Sequence, residues 1–240
     1  MPKIEVYDVN KKNKNDKYDK FYKDIPYFCK SFRIVLCGPA GSGKTQVLYN
    51  ILFNKSFMLD LWKKTKGSIT AFIPTMDTCE ELAQMAKKSK FKPQNFKIHN
   101  QWKEEICKKT YDNCDEKHPN LFIFDDVSFL SNFSNCHKRN VIDEILCAGR
   151  HKNVSAIVLA QKYTHLNENL RANNCTCLIL FNGLINKELE RIYIENFSSI
   201  MEQKQFDELI KTHLNKRYSF LVFDKKNSVV YDNEFNEINF

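Results

Sequence analysis

The sequence predicts a three-layer α/β/α domain on a mostly parallel sheet, extended at one edge by an antiparallel C-terminal hairpin. Three observations lead there. Apolar runs of strand length alternate along the chain with segments of helical period. One run, Phe32–Cys37, feeds into Gly38-Pro39-Ala40-Gly41-Ser42-Gly43-Lys44-Thr45, and Val47, Leu48, Ile51 and Leu52 then recur at helical spacing. A second run, Leu121–Phe124, ends on the adjacent carboxylates Asp125 and Asp126.

Residues 1–28 read as a polar arm, with seven Lys against five acids through Asp24. Such a segment has too few apolar side chains to pack and reads as a solvated tail, with a basic arm on nucleic acid as the other reading. Residues 29–240 read as one domain, a size that supports a substantial core. Ser68–Ile73 is a strand closed by Pro74, and Cys79–Lys88 a helix with Leu82 and Met85 on one face. Phe96–His99 is a short strand, Gln101–Lys109 a short helix, and Asn120–Asp125 the next strand. His137–Ala148 is an amphipathic helix with Val141, Ile142, Ile145 and Leu146 inward. Val154–Ala160 and Thr176–Phe181 are buried strands, and Asn186–Asn196 and Glu202–His213 are helices. Tyr218–Phe223 and Ser228–Tyr231, joined across Asp-Lys-Lys-Asn, form the terminal hairpin.

The segment Gly38–Thr45 fits the phosphate-binding pattern G-x-x-x-x-G-K-[ST]. Glycine permits the positive φ that turns successive backbone N–H groups toward phosphate oxygens. The helix that follows adds its positive end. Lys44 is placed to reach the β- and γ-phosphates of ATP, and the Thr45 hydroxyl to ligate Mg²⁺. A buried strand ending in two acids complements this loop. Asp125 is the candidate Mg²⁺ carboxylate, and Asp126 the candidate base toward an attacking water. Asp is one methylene shorter than the Glu that many such enzymes carry at this place. The water must then sit closer, or the backbone must shift.

Gln161 caps the apolar run Val154–Ala160. If that strand lies between the other two, Gln161 faces the γ-phosphate and can sense it or orient water. Arg150 follows Gly149, a candidate helix C-cap, and Arg171 sits in Asn169-Leu170-Arg171-Ala172-Asn173. Either is a candidate arginine finger for a neighbouring subunit. Arg150 also has a plainer use in countering a helix dipole.

The run Gly149–Gln161, followed by Asn169–Asn173, resembles the poxvirus-type family of viral genome-packaging ATPases in the FtsK–HerA superfamily. The family pattern has a phosphate loop, an apolar strand ending in two acids, a Gly-Arg-His step, a strand ending in Gln and a Leu/Ile-Arg-x-Asn step. All five occur here in that order, across about residues 30–225. The resemblance implies a RecA/FtsK-like P-loop NTPase fold and a multi-subunit ring that couples ATP hydrolysis to pumping double-stranded DNA into a preformed capsid. It implies ATP on Gly38–Thr45, Mg²⁺ and water on Asp125 and Asp126, a sensor at Gln161 and a trans finger at Arg150. It also implies capsid vertex or portal components as partners, and the host cytoplasm or a viral factory as the location.

Composition sets the outer bounds. The chain has 240 residues, a formal charge of +8 and a pI near 8.9, which permits contact with nucleic acid without requiring it. The Lys-rich stretch 103–117, with Lys108, Lys109 and Lys117, reads either as a solvated face or as one that tracks DNA phosphates independently of sequence. The nine cysteines include no C-x-x-C pair. Cys37, Cys147, Cys175 and Cys177 lie in apolar runs and read as reduced, buried thiols. Cys107, Cys114, His118, Cys136 and His137 match no usual zinc spacing. The N-terminus does not read as a secretion signal, and no apolar stretch reaches the ~18 residues of a membrane span. Two other functions fit the phosphate loop. One is a helicase or DNA-transfer ATPase of the same superfamily. The other is a nucleotide kinase, which the scarcity of Arg (six in all) argues against.

Overall fold

The computed structural model describes residues 29–54, 57–126 and 141–239. The expected arm (1–28), residues 127–140 with the start of the expected helix His137–Ala148, and Cys136, His137 and Arg139 lie outside them.

Strand β1 (Arg33–Cys37) is buried throughout, as an apolar run in mid-sheet must be. The other parallel strands are β2 (Ser68–Phe72), β3 (Phe96–His99), β4 (Asn120–Phe124), β5 (Val154–Ala160) and β6 (Cys177–Phe181). Strands β7 (Phe220–Asp224), β8 (Val229–Tyr231) and β9 (Glu237–Ile238) continue the sheet antiparallel from β6. The order is β3-β2-β4-β5-β1-β6-β7-β8-β9. β5 therefore lies between β4 and β1, the arrangement on which the reading of Gln161 depended.

Period-two alternation divides the strand side chains between two cores. Ile34, Leu36, Leu121, Ile123, Ile157 and Leu159 face one side. There they meet helices α1 (Lys44–Phe53), α2 (Leu59–Lys64) and α3 (Met76–Lys88). Val35, Cys37, Phe122, Phe124, Val158 and Leu178 face the other. They are covered by α4 (Glu104–Asp112), α5 (Val141–Ala148), α6 (Asn186–Ile192) and α7 (Gln203–His213). Three layers result, as expected.

Several boundaries moved. α2 was not anticipated; it is a single short turn and a half that buries Leu59, Leu61 and Trp62. α4 starts at Glu104, where two acids complement the helix N-terminus, and not at Gln101. The expected helix Asn186–Asn196 is α-helical only to Ile192 and continues as a π-turn, Tyr193–Phe197. Asn169–Asn174 is a second π-turn. Gly149 is not a left-handed cap. It begins the short turn Gly149–Lys152, and the left-handed residue there is Asn153, with φ 52°. Glycine fits at 149 because a Cβ would stand 3.2 Å from the Val154 side chain. Cys37, Cys175 and Cys177 are buried free thiols, whereas Cys147 is exposed. Among the described residues no helix is long and apolar enough to cross a membrane.

Candidate nucleotide site

The phosphate-loop pattern folds between the C-terminal end of β1 and the first turn of α1. Gly38 donates its N–H to the Ala160 carbonyl at 3.1 Å, tying the loop to the end of β5. A Cβ at Gly38 would lie 2.5 Å from the Phe181 Cβ, so no larger residue fits against β6. Gly41 and Gly43 have φ of 73° and 102°, the left-handed values for which glycine is suited. The Lys44 ammonium donates to the carbonyls of Gly38 at 2.6 Å and Pro39 at 2.8 Å, which holds it over the loop. Burial pulls the Lys44 pKa down, opposed by nearby Cys37, Asp125 and Asp126. The Ser42 hydroxyl is buried without a hydrogen-bond partner. A buried polar atom of this kind, in a glycine-rich loop at the start of a helix, suits an anionic ligand.

The two acids emerge from β4, separated from β1 only by β5. The Asp125 N–H donates to the Phe72 carbonyl at 3.0 Å. Phe72, Trp102 and Phe124 pack ring against ring and line the cleft that the two acids share. Burial pushes Asp125 up to about 6, and the neighbouring Asp126 charge adds to this, while Lys44 opposes it. Asp126 has a φ of 49°, and its Oδ2 accepts a 2.9 Å hydrogen bond from Gln161 Nε2. Thr45, Asp125 and Asp126 together offer only hard oxygen donors, and the two carboxylates repel one another. Both features suit Mg²⁺, whose charge would relieve the repulsion.

That electrostatic strain has a measurable consequence. The folded pKa of Asp125, about 6, lies above its ordinary value of 3.8. A raised carboxyl pKa destabilises the fold wherever the group is ionised, so its cost is full above pH 6 and vanishes below about pH 4. Asp125→Asn is therefore expected to stabilise the nucleotide-free, chelator-treated protein by on the order of 2 kcal/mol at pH 8. A rise of about 5 °C in melting temperature follows, shrinking to nothing near pH 4. A melting temperature at pH 8 that is unchanged or lower would refute this account.

The two arginines separate cleanly. Arg150 is exposed and precedes β5, while the phosphate loop lies beyond the C-terminal end of the adjacent parallel strand β1. The seven residues of β5 alone span roughly 20 Å, so Arg150 cannot serve its own loop. Arg171, expected as an alternative finger, is buried. It pairs with Glu195, donates from Nε to the Leu166 carbonyl at 3.0 Å, and lies over the Tyr163 ring. Those contacts give it a structural role inside its own subunit and hold it away from the surface that a neighbouring subunit would meet. Lys108 likewise is bound to Glu144 at 2.8 Å and Asp112 at 3.1 Å, so it does not stand as an unpaired cation toward DNA.

Residues 19–237 match the poxvirus A32 protein family. The chain belongs to that family. No curated protein sequence matches it. Among solved structures it is similar to the genome packaging NTPase B204 of Sulfolobus turreted icosahedral virus 2 in complex with AMP. The identity is 18% over 88% of this chain and 100% of that one, with a TM-score of 0.63. B204 of Sulfolobus turreted icosahedral virus, described as a DNA-packaging ATPase, gives 17% identity over 88% and 100%, with a TM-score of 0.62. The cytoplasmic domain of EssC gives 13% identity over 72% of this chain and 35% of that one, with a TM-score of 0.53. At these identities the likeness shows the fold alone, a mostly parallel sheet between two layers of helices with an antiparallel edge.

In this A32-family chain the sequence reading missed what stands behind Gln161. The Glu188 carboxylate accepts from the Thr164 N–H at 2.9 Å and the Thr164 hydroxyl at 2.7 Å. The buried Tyr163 hydroxyl bonds Glu195 at 3.0 Å and receives Asn196 Nδ2 at 2.7 Å. These contacts fix the segment that carries Gln161. An acid in the first turn of a helix looks solvated in sequence, and only the fold shows that Glu188 is buried.

Proposed function

We propose that this chain is an ATP-hydrolysing DNA-packaging motor subunit that moves double-stranded viral DNA into a preformed capsid as a ring oligomer. One observation carries the reading. The phosphate loop, the acid pair and Gln161 meet at neighbouring strand ends, while the exposed Arg150 lies at the far end of the sheet. The family and the packaging NTPases that share the fold support it.

In this reading the loop amides and Lys44 bind the triphosphate, and Lys44 offsets charge that develops on the γ-phosphoryl group. Asp126, held at Oδ2 by Gln161, orients the attacking water and accepts its proton. Thr45 and Asp125 would hold Mg²⁺, which supplies charge neutralisation on the phosphate oxygens. A neighbouring subunit's Arg150 completes the site, so hydrolysis depends on ring geometry. DNA is engaged through its phosphates without sequence preference. Capsid vertex or portal components are the expected docking partners, in the host cytoplasm or a viral factory.

The test is steady-state ATPase measured against duplex length, with oligomeric state followed by light scattering. The rate is expected to rise with duplex length in step with assembly, and to fall steeply with salt. A rate indifferent to duplex DNA would sink the motor reading. Strand separation on a forked duplex would point to a helicase, and phosphorylation of a nucleoside monophosphate to a kinase.

A further inference from the structure

Four large apolar side chains are exposed among the described residues: Met76, Ile185, Ile194 and Tyr218. Tyr218 differs from the rest in position and conformation. It is 52% exposed, yet its backbone sits at φ 67°, a region that bulky residues rarely adopt. The turn that imposes this is clamped. Ser219 N–H, Ser219 Oγ and Asn182 Nδ2 all donate to the Lys216 carbonyl, at 3.1, 2.7 and 3.0 Å. Asn182 N–H donates in turn to the Ser219 carbonyl at 3.0 Å. The Asn182-Gly183 corner is itself packed on the phosphate loop, since a Cβ at Gly183 would stand 2.9 Å from the Pro39 ring.

The clamp brings the Tyr218 ring to the loop. A Cβ at Gly43 would lie 3.5 Å from Tyr218 Cδ1. The Arg217 guanidinium lies over the ring, 4.7 Å from its centroid. Sheet order gives the direction of a bound nucleotide. The acids and Gln161 come from β4 and β5, on one flank of β1, and define the γ-phosphate end. Tyr218 comes from the β6–β7 side, on the other flank. A triphosphate lying along the loop with its γ end at the acids directs its nucleoside toward Tyr218.

We propose that Tyr218, backed by Arg217, is the stacking platform for the nucleobase. The proposal rests on the reading of residues 38–45 as the triphosphate site. The flat aromatic face, held against strain, is suited to a base, and the Tyr218→Phe variant separates that face from the hydroxyl, the part of the side chain a phosphate oxygen could use. Stacking is tolerant of base identity, so the platform supplies affinity for purine nucleotides more than discrimination between them.

The experiment compares magnesium-dependent binding of ATP and of inorganic tripolyphosphate by calorimetry. Tyr218→Gly is the ring deletion of choice because glycine accepts φ 67°, and Tyr218→Phe is the conservative partner. Tyr218→Gly is expected to weaken ATP about tenfold or more and to leave tripolyphosphate unchanged. Tyr218→Phe is expected to keep both. In Tyr218→Trp, ATP is expected to quench the new indole and tripolyphosphate is not. Equal losses on both ligands in Tyr218→Gly would show that the turn merely shapes the loop, and would overturn the platform. So would no loss on either. Failure of the unaltered protein to bind tripolyphosphate and ATP alike would instead defeat the phosphate-loop reading, and the platform with it.

Discussion

Lys44→Ala is expected to remove ATP hydrolysis, by at least two orders of magnitude, and to weaken ATP binding as well. The ammonium sits directly over the loop, held by the Gly38 and Pro39 carbonyls. Phosphate oxygens can take those donor bonds as stronger, charge-assisted ones. Its loss in the transition state leaves the γ-phosphoryl charge without its nearest cation, a loss of the size seen when one preorganised donor is deleted from an anion site. The fold is expected to survive, since Lys44 anchors no core contact. Single-turnover hydrolysis and ATP calorimetry on the same preparation separate the two effects. Hydrolysis within tenfold of the unaltered protein would mean that the loop does not hold the reacting phosphate.

Arg150→Ala is expected to lower DNA-stimulated hydrolysis about 10³- to 10⁵-fold while leaving ATP binding to the isolated subunit untouched. Arg150 is exposed and far from its own loop, so its removal costs little in folding and nothing in local phosphate contact. Mixing supplies the decisive measurement. A Lys44→Ala subunit carries an intact Arg150 and can complete the site of an Arg150→Ala neighbour, whose loop is intact. Partial recovery in the mixture is expected. If both variants assemble together and the mixture stays inactive, Arg150 is not the trans residue.

How far the sequence reached depended on how local each feature is. The phosphate loop is contiguous, and its glycines, Lys44 and Thr45 were legible from spacing alone. The placement of Asp125, Asp126 and Gln161 needed one further step, the order of three strands, and that order is the one the sheet shows. The Gln161–Asp126 hydrogen bond follows from it. What could not be read was anything fixed by distant partners. Arg171 resembled a loop arginine in sequence, but the pair with Glu195 is made across 24 positions and buries it. Tyr218 was expected as the first residue of a strand. A turn stapled by Asn182, 36 positions upstream of Tyr218, pushes the strand start to Phe220. Gly149 was read as a cap because glycine usually earns that place by its backbone freedom, whereas here its small volume against Val154 is what matters.

If Arg150 serves a neighbour's loop, as proposed, its distance from its own loop also constrains how copies of the chain associate. A residue on the rear of one molecule that completes a pocket on the front of the next requires unlike surfaces to meet. Arranged head to tail, as in the proposed ring, such a contact repeats until it closes or runs on without end. The number of copies is then an arithmetic result of the rotation between successive molecules. In the proposed ring, a substitution that alters this rotation is expected to open the assembly toward a helical fibre.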